Sequence, residues 1–406
     1  MKIRDDLSDL EPYGAPQIDV PVPLNTNENP YPPSQELVNA VADAVRGIAG
    51  TLNRYPDRDS SDLRKDLADY LGHDLTASQV WAANGSNEVI QQVLQAFGGP
   101  GRTALGFEPS YSMHPLISRV TCTSWDAVQR DEDFGISADR AAAEVAAARP
   151  DVVFLCSPNN PTGTATPLDV ITAVCDRAPG IVVVDEAYAE FAREGTASAL
   201  SLLHRYPRLA VTRTMSKAFA MAGARVGYLA ASPELIASLL IVRLPYHLSA
   251  VTQAVARAAL EHRAEPLATV AALRAERDAL VSWLRARGFS VADSDANFVL
   301  FGELGDRHAV WQGLLDRGVL VREVGPARWL RVTVGTPEEM AAFRQALDEV
   351  SRLWARGEWR EWSGSPGRRR SWSSSTSMGS ACARWLPACR SSTICWRNSA
   401  STAAWT

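Results

Sequence analysis

The chain has 406 residues, 46% of them hydrophobic, and a formal net charge of -5 at pH 7. That length can bury two or three domains, and the weakly acidic balance argues against nucleic-acid or anionic-membrane binding. No apolar run approaches the roughly 20 residues of a membrane-spanning helix, and MKIRDDLSDLEPYG lacks the apolar core of a secretory signal. Residues 1–354 contain only Cys122, Cys156 and Cys175, and the six histidines are scattered. We therefore expect a reduced, cytoplasmic protein without disulfides or a metal site.

Helical and strand patterns alternate along the first part of the chain. Residues 60–72 predict a helix, with Ser61 as candidate N-cap, three leucines at four-residue spacing and Gly72 as the stop. Residues 79–84 form a short apolar run, and Gly-Ser-Asn and a further helical segment follow it. This order predicts a strand, a tight turn and a helix.

The middle of the chain predicts a buried parallel sheet. DVVFLCSP (151–158) and GIVVVDEAY (180–188) are apolar on both faces, as strands of a parallel sheet are. TPLDVITAVCDRA between them is typical of a crossover helix, and RVGYLAAS (225–232) predicts another strand. The predicted fold class is therefore α/β, with a large and mostly parallel sheet.

The last third of this region predicts a second, smaller α/β unit. Residues 249–288 are mostly helical in pattern, with a break near Pro266, and short strands and two helices follow. We predict an N-terminal arm at 1–44 that belongs to the small domain, a large domain at 45–275, and a small domain at 276–354.

Four motifs carry chemistry, although each also has an ordinary structural explanation. Gly-Ser-Asn at 85–87 opens a helix, where free N–H groups bind phosphate, but many helices begin this way. SPNNPTG (157–163) follows a strand end and is equally consistent with a turn. Asp185 ends a buried strand, where a carboxylate needs a partner unless it is exposed or a cap. Lys217 lies among small residues, where burial makes an amine nucleophilic unless the segment is a surface loop.

Taken in order, these motifs fit one cofactor, pyridoxal 5'-phosphate. Lys217 would carry it covalently as an imine, and Asp185 would keep its ring nitrogen protonated so that the ring withdraws electrons. Asn160 and Tyr188 would bond to its ring oxygen, and Tyr111 would stack on the ring. The phosphate would be held by an oxyanion-binding group: the backbone of Ser86 and Asn87 and the side chains of Thr214, Ser216 and Arg225.

This ordered set resembles the aspartate-aminotransferase fold type of pyridoxal-phosphate enzymes, and within it most closely the histidinol-phosphate aminotransferases. The resemblance covers nearly all of residues 5–352. The stretches that carry it are PYGAP (12–16), LNTNENPYPPS (24–34), LNRYPD (52–57), CSPNNPTGT (156–164), TRTMSKAFAMAGARVGY (212–228), LPYHLSAVTQA (244–254), ANFVLF (296–301) and LRVTVGT (330–336).

The resemblance implies a homodimer in which Tyr55 reaches the cofactor phosphate of the neighbouring subunit. It also implies that Arg331, assisted by Arg322, binds the anionic end of the substrate, and that Tyr13 and Tyr246 line the substrate pocket. The ordinary alternatives are an Arg322 that faces solvent and tyrosines that only pack.

The implied reaction moves an amino group between glutamate and imidazole-acetol phosphate, giving L-histidinol phosphate in L-histidine biosynthesis. Two alternatives share the scaffold: an aromatic amino-acid aminotransferase and a threonine-phosphate decarboxylase. A third, a cofactor-binding regulator, would carry a DNA-binding domain before the similar part, and here the resemblance starts near residue 5. An enzyme is therefore the expectation.

The composition changes near residue 355. Residues 355–406 contain eight Arg and two Glu, for a net charge of +6 against -11 before them, and they hold half of the tryptophans and cysteines. The ordinary alternative is a natural disordered basic extension, although such segments are usually poor in tryptophan and cysteine. Residues 387–406 can be encoded so that a one-base shift gives TGVPFFDHMLAQLGKHGGLD, which resembles imidazoleglycerol-phosphate dehydratase, another histidine-pathway enzyme. We hypothesise a frameshifted, disordered tail without function, which the nucleotide sequence would test.

Overall fold

The computed structural model describes residues 2–355 of the chain. In chain order the strands are β1 (Val22–Pro23), β2 (Val80–Ala83), β3 (Thr103–Glu108), β4 (Ser124–Gln129), β5 (Val152–Cys156), β6 (Ile181–Asp185), β7 (Leu209–Thr214), β8 (Gly227–Ala231), β9 (Ser290–Val291), β10 (Phe298–Gly302), β11 (Val319–Leu320) and β12 (Leu330–Thr333). The helices are α1 (Gln35–Ala49), α2 (Ser61–Leu71), α3 (Ser86–Phe97), α4 (Met113–Val120), α5 (Ala138–Ala148), α6 (Leu168–Arg177), α7 (Pro233–Val242), α8 (Ala250–Glu261), α9 (Ala264–Ala286), α10 (Arg307–Leu315) and α11 (Pro337–Ala355). The tail hypothesis falls outside the described residues, apart from Ala355 at the end of α11.

A seven-stranded sheet forms the larger part of the fold. Its strand order is β2-β8-β7-β6-β5-β3-β4. Strands β4, β3, β5, β6 and β7 run parallel, whereas β8 is antiparallel to both of its neighbours. The predicted α/β class with a mostly parallel sheet is therefore confirmed. The predicted strand at 225–232 is confirmed as β8, whose reversed direction its apolar sequence could not indicate.

Both faces of this sheet are covered by helices, which explains why β5, β6, β7 and β8 are buried at every position. One core packs the sheet against α2, α5, α6 and α8, and the other packs it against α3, α4 and α7. Because parallel strands end at a common edge, the residues after β5, β6 and β7 come together there.

The predicted helix at 60–72 begins at Ser61, one residue earlier than the predicted N-cap at Ser61 would allow. The structure gives Ser60 as the N-cap residue, so the prediction of Ser61 was wrong. Ser61 is instead the first helical residue, and its N–H donates to Asp57 Oδ2 at 2.6 Å. The carboxylate of Asp57 therefore does the capping that we assigned to a serine hydroxyl. Gly72 ends the helix as predicted.

A three-stranded antiparallel sheet, β12-β10-β9, lies in the C-terminal part of the described chain. Its core includes residues of α9, α10 and α11. Strand β1 pairs in parallel with β11, which attaches the N-terminal segment to this part of the fold. The predicted helix break falls between α8 and α9, a few residues before Pro266. The domain boundaries at 44, 275 and 354 stay a prediction.

Nowhere in residues 2–355 does a helix combine the length and the apolar character needed to cross a membrane.

Candidate active site

A cavity of about 270 Å³ opens where the carboxyl ends of β5, β6 and β7 face the N-terminal segment and the β11–β12 region. Thirteen of the fifteen residues predicted to form the site line it. They are Tyr13, Ser86, Asn87, Tyr111, Asn160, Asp185, Tyr188, Thr214, Ser216, Lys217, Arg225, Arg322 and Arg331. Residues that lie far apart in sequence, from Tyr13 to Arg331, therefore converge on one cavity.

Lys217 follows β7 and lies in the cavity wall, where its Nζ donates to the carbonyl oxygen of Thr26 at 3.2 Å. The side chain is partly accessible from the cavity, but surrounding protein atoms desolvate the amine. This burial, with the nearby positive charges of Arg331 and Arg225, lowers the pKa of Lys217 from 10.5 to about 8, while Glu28 acts in the opposite direction. A substantial share of this amine is therefore neutral and nucleophilic near neutral pH.

Asp185 is the last residue of β6 and is almost completely buried. Its two carboxylate oxygens have separate partners. Thr212 Oγ1 donates to Oδ1 at 3.1 Å, and His114 Nε2 lies 3.1 Å from Oδ2. This arrangement satisfies a buried carboxylate and fixes its orientation at the cavity wall.

His114 is a residue that the sequence reasoning missed. It is fully buried in α4, and its ring stacks on Phe154 with centroids 4.7 Å apart and meets the ring of Tyr111 edge-on. It follows Tyr111 by three residues, which places Tyr111 just before α4 and His114 in its first turn. That spacing was the available signal, but a histidine at a helix start has many ordinary explanations.

One end of the cavity has the features of a phosphate site. Helix α3 starts at Ser86, directly after Gly85, so its free N–H groups lie at this end. Thr214 Oγ1 donates to Ser216 Oγ, and Arg225 Nη1 donates to the same Ser216 oxygen at 3.2 Å. The predicted oxyanion-binding residues are thus brought together.

Two glycines permit this close packing. Gly85 has φ of 86°, and a Cβ at this position would lie 2.5 Å from Arg225 Nη2. A Cβ on Gly227 would lie 2.1 Å from the backbone nitrogen of Ser86. Side chains at either position would displace the arginine or the helix start.

The cavity wall also carries two guanidinium groups from the β11–β12 region, those of Arg322 and Arg331. Arg331 is buried and donates to Asn160 Oδ1 at 2.6 Å and to the carbonyl of Asn25 at 2.9 Å. Its burial lowers its pKa to about 10, so it stays charged at neutral pH. Arg322 donates to the carbonyl of Gly14 at 3.2 Å. Among the described residues, Arg331 Nε and Arg322 Nη1 have no hydrogen-bond partner, so donors remain for an anion.

Tyr188, Asn160 and Tyr111 also line the cavity. Asn160 Nδ2 donates to the Tyr188 hydroxyl at 3.4 Å, and Tyr111 donates to Asn87 Oδ1 at 3.2 Å. Asn27, which the sequence reasoning did not single out, also donates to the Tyr188 hydroxyl at 3.0 Å. The Asn-Glu-Asn-Pro motif that begins with Asn27 belongs to a stretch that carries the family resemblance, but the sequence predicted no role for this asparagine.

Tyr55 and Tyr246 lie outside the cavity wall of this chain. Their rings stack on each other with centroids 4.4 Å apart, and the side chains are 80% and 40% exposed. The single chain therefore leaves both roles as predictions.

Outside the cavity, one group of side chains in the described part of the chain could share an ion. Glu36, His262 and Glu265 place one ligand atom each within 4.8 Å of the others, and Glu36 is exposed. None of them lines the cavity, and the expectation of no metal site stays a prediction.

The fold and this constellation of residues define a class of protein. The model of the family "Aminotransferase class I and II" matches residues 20–347, and the chain belongs to that family. Curated relatives place it among the histidinol-phosphate aminotransferases. The chain is 67% identical over 347 residues to the histidinol-phosphate aminotransferase of Thermobifida fusca, covering 86% of this chain and 95% of the relative. It is 61% identical to the one from Frankia casuarinae, covering 86% and 89%.

Solved structures agree with the fold. The histidinol-phosphate aminotransferase of Sinorhizobium meliloti, solved in complex with pyridoxal-5'-phosphate, matches with a TM-score of 0.78 and 23% identity, covering 87% of this chain and 98% of that one. A putative histidinol-phosphate aminotransferase of Erwinia carotovora matches with a TM-score of 0.74 and 27% identity, covering 84% and 97%. At 23% identity the first of these supports the fold alone.

Proposed function

We propose that the protein is a pyridoxal-phosphate-dependent aminotransferase that moves an amino group between glutamate and imidazole-acetol phosphate in L-histidine biosynthesis. The observation that carries this proposal is Lys217, whose pKa is lowered to about 8 in a cavity that also contains the guanidinium groups of Arg225 and Arg331. The relatives named above support the same reaction.

The residues of the cavity fit pyridoxal phosphate. The glycine-lined start of α3, with Thr214, Ser216 and Arg225, would hold its phosphate. Asp185, oriented by His114 and Thr212, would hold its ring nitrogen. When bound, the cofactor supplies an electron sink for negative charge at the substrate α-carbon.

The protein's own residues then perform three tasks. Lys217 would hold the cofactor covalently and, once released by the incoming amine, its Nζ would take the proton from the substrate α-carbon and deliver it to the cofactor carbon that carries the amine. Arg331 and Arg322 would bind the substrate anion through their remaining N–H groups, a carboxylate for glutamate and a phosphate for histidinol phosphate. Tyr13, which lines the cavity, would contact the bound substrate.

The assembly we propose is a homodimer. Tyr55, Ile241 and Leu244 are 80%, 84% and 75% exposed, which is unusual for large apolar side chains and suits a surface covered by a second copy. In that dimer Tyr55 would reach the neighbouring subunit's cofactor phosphate, and Tyr246 would line its substrate pocket. We also propose a cytoplasmic location, which the free cysteines Cys122, Cys156 and Cys175 support.

Substrate preference tests the reaction. We expect efficient transfer from histidinol phosphate to 2-oxoglutarate, slower transfer from phenylalanine, and no carbon dioxide release from threonine phosphate. Faster turnover of phenylalanine would favour an aromatic amino-acid aminotransferase, and carbon dioxide release would favour the decarboxylase.

Mixing two inactive variants tests the shared site. If Tyr55 serves the neighbouring subunit, a heterodimer of Lys217→Ala and Tyr55→Ala contains one complete site and regains activity. If Tyr55 served its own chain, every site in the mixture would carry one lesion and no activity would return. Sedimentation of the wild type should show a dimer.

A further inference from the structure

Every polar atom of Asn27 has a hydrogen-bond partner, and the residue connects the N-terminal segment to strand β12 and to the cavity wall. The residue is 1% exposed, and its φ of 55° suits asparagine in the left-handed region. Its backbone N–H donates to Thr333 Oγ1 at 3.0 Å, and its carbonyl accepts from Asn297 Nδ2 at 3.1 Å. Its side chain bridges Thr333 and the Tyr188 hydroxyl, each at 3.0 Å. These two side-chain and two backbone hydrogen bonds fix the orientation of Asn27.

The amide of Asn160 is oriented without ambiguity. Arg331 Nη1 lies 2.6 Å from Asn160 Oδ1, and a guanidinium group can only donate. The oxygen of the amide must therefore face Arg331, and its nitrogen must face the Tyr188 hydroxyl, 3.4 Å away. Tyr188 thus accepts one N–H from Asn160.

The amide of Asn27 is oriented by Thr333 in a similar way. Thr333 Oγ1 accepts the backbone N–H of Asn27, and its own proton goes to Asn27 Oδ1. The reversed amide would present N–H groups to Thr333 and leave that buried hydroxyl proton without an acceptor among the described residues. Asn27 Nδ2 therefore faces Tyr188 and donates to it.

These two donations decide where the Tyr188 proton points. A phenolic oxygen has two acceptor positions and one proton. Asn27 and Asn160 fill both acceptor positions, so the proton remains for the cavity, whose wall Tyr188 shares with Lys217 and Asp185. Accepting two N–H groups also strengthens the hydroxyl as a donor, because hydrogen bonds in a chain polarise one another.

We propose that Asn27, oriented by Thr333, is a positioning residue that fixes Tyr188 as a hydrogen-bond donor toward the ring oxygen of the cofactor. The proposal rests on the proposed function, since it assigns the partner of the Tyr188 proton. Through the hydrogen bonds from Thr333 to Asn27 and from Asn27 to Tyr188, the Thr333 hydroxyl on β12 affects the acidity of the bound cofactor without contacting it.

The absorbance of the bound cofactor, titrated against pH, measures this effect without measuring turnover. A donor to the ionised ring oxygen stabilises the deprotonated form, so weakening that donor raises the midpoint. We expect Asn27→Ala to raise the midpoint by about half a unit to one unit, the equivalent of one ordinary hydrogen bond. Tyr188→Phe should raise it further, because the donor itself is lost.

A double-variant comparison separates positioning from general damage. In the Tyr188→Phe background, Asn27→Ala should shift the midpoint no further, because its effect passes through the missing hydroxyl. An equal shift in both backgrounds would overturn the proposal. Thr333→Val gives a second route if Asn27→Ala does not fold. It should raise the midpoint, whereas Thr333→Ser, which keeps the hydroxyl, should match the wild type.

The two levels of the proposal fail in different ways. If Thr333→Val and Thr333→Ser shift the midpoint equally, the orientation by the hydroxyl is wrong while the proposed function stands. If the wild-type protein develops no pH-dependent visible band with pyridoxal phosphate, the proposed function falls and this inference falls with it.

Discussion

The lowered pKa of Lys217 can be measured directly on the cofactor-free protein. The chain contains only three lysines, Lys2, Lys65 and Lys217, so each can be followed in its own peptide. Brief labelling with acetic anhydride modifies only neutral amines, and mass spectrometry then gives the labelled fraction of each lysine. The exposed Lys2 and Lys65 serve as internal references at every pH.

The expected size of the effect follows from the pKa. With a pKa of about 8, roughly one Lys217 amine in ten is neutral at pH 7. An ordinary lysine with a pKa near 10.5 has roughly one neutral amine in three thousand, so Lys217 should have about 300 times more of the reactive form. Its labelling should rise with a midpoint near 8.

Two variants move this midpoint in opposite directions. Arg331→Met removes a positive charge that disfavours the ammonium, so the midpoint should rise. Glu28→Gln removes a negative charge that favours the ammonium, so the midpoint should fall. A wild-type midpoint near that of a free lysine, or shifts of both variants in one direction, would refute this electrostatic reasoning.

Three further predictions concern single residues. Lys217→Ala should abolish amino-group transfer while the protein still folds, as assays and circular dichroism would show. His114→Leu removes a hydrogen-bond partner from the strand-end carboxylate and should lower kcat about tenfold, the equivalent of one buried hydrogen bond. Arg213→Met leaves the buried carboxylates of Glu186 and Glu190 without the cation that contacts them at 2.8 and 3.1 Å. It should lower the free energy of unfolding by about 3–5 kcal/mol, measured with urea.

Much of the fold could be predicted because its signals are local. The apolar runs that became β5 and β6 are uninterrupted, and chain direction in a parallel sheet places their carboxyl ends at one edge. That rule alone brings Asn160, Asp185 and Lys217 into one crevice. The direction of β8 was not predictable, because an apolar run is the same in either direction.

The residues that orient the site's side chains, such as His114 and Thr333, could not be predicted, and the reason is physical. His114 acts through a contact with Asp185 across 71 positions of sequence, and Thr333 acts on Asn27 across 306. Neither residue type is unusual in its local setting, so no pattern marks it. The N-cap was assigned to the wrong serine because the first helical N–H, that of Ser61, is bonded by the carboxylate of Asp57 and not by a serine hydroxyl. Two adjacent serines in the sequence do not reveal this geometry. Roles that depend on a second copy, such as that of Tyr55, also remain predictions.

The most direct test of the central claim is the visible absorbance of the protein loaded with pyridoxal phosphate during alternate additions of its two substrates. The band should disappear when histidinol phosphate is added and return when 2-oxoglutarate follows, and Lys217→Ala should show neither change. A band that histidinol phosphate leaves intact, or a cycle that persists in Lys217→Ala, would contradict the assignment.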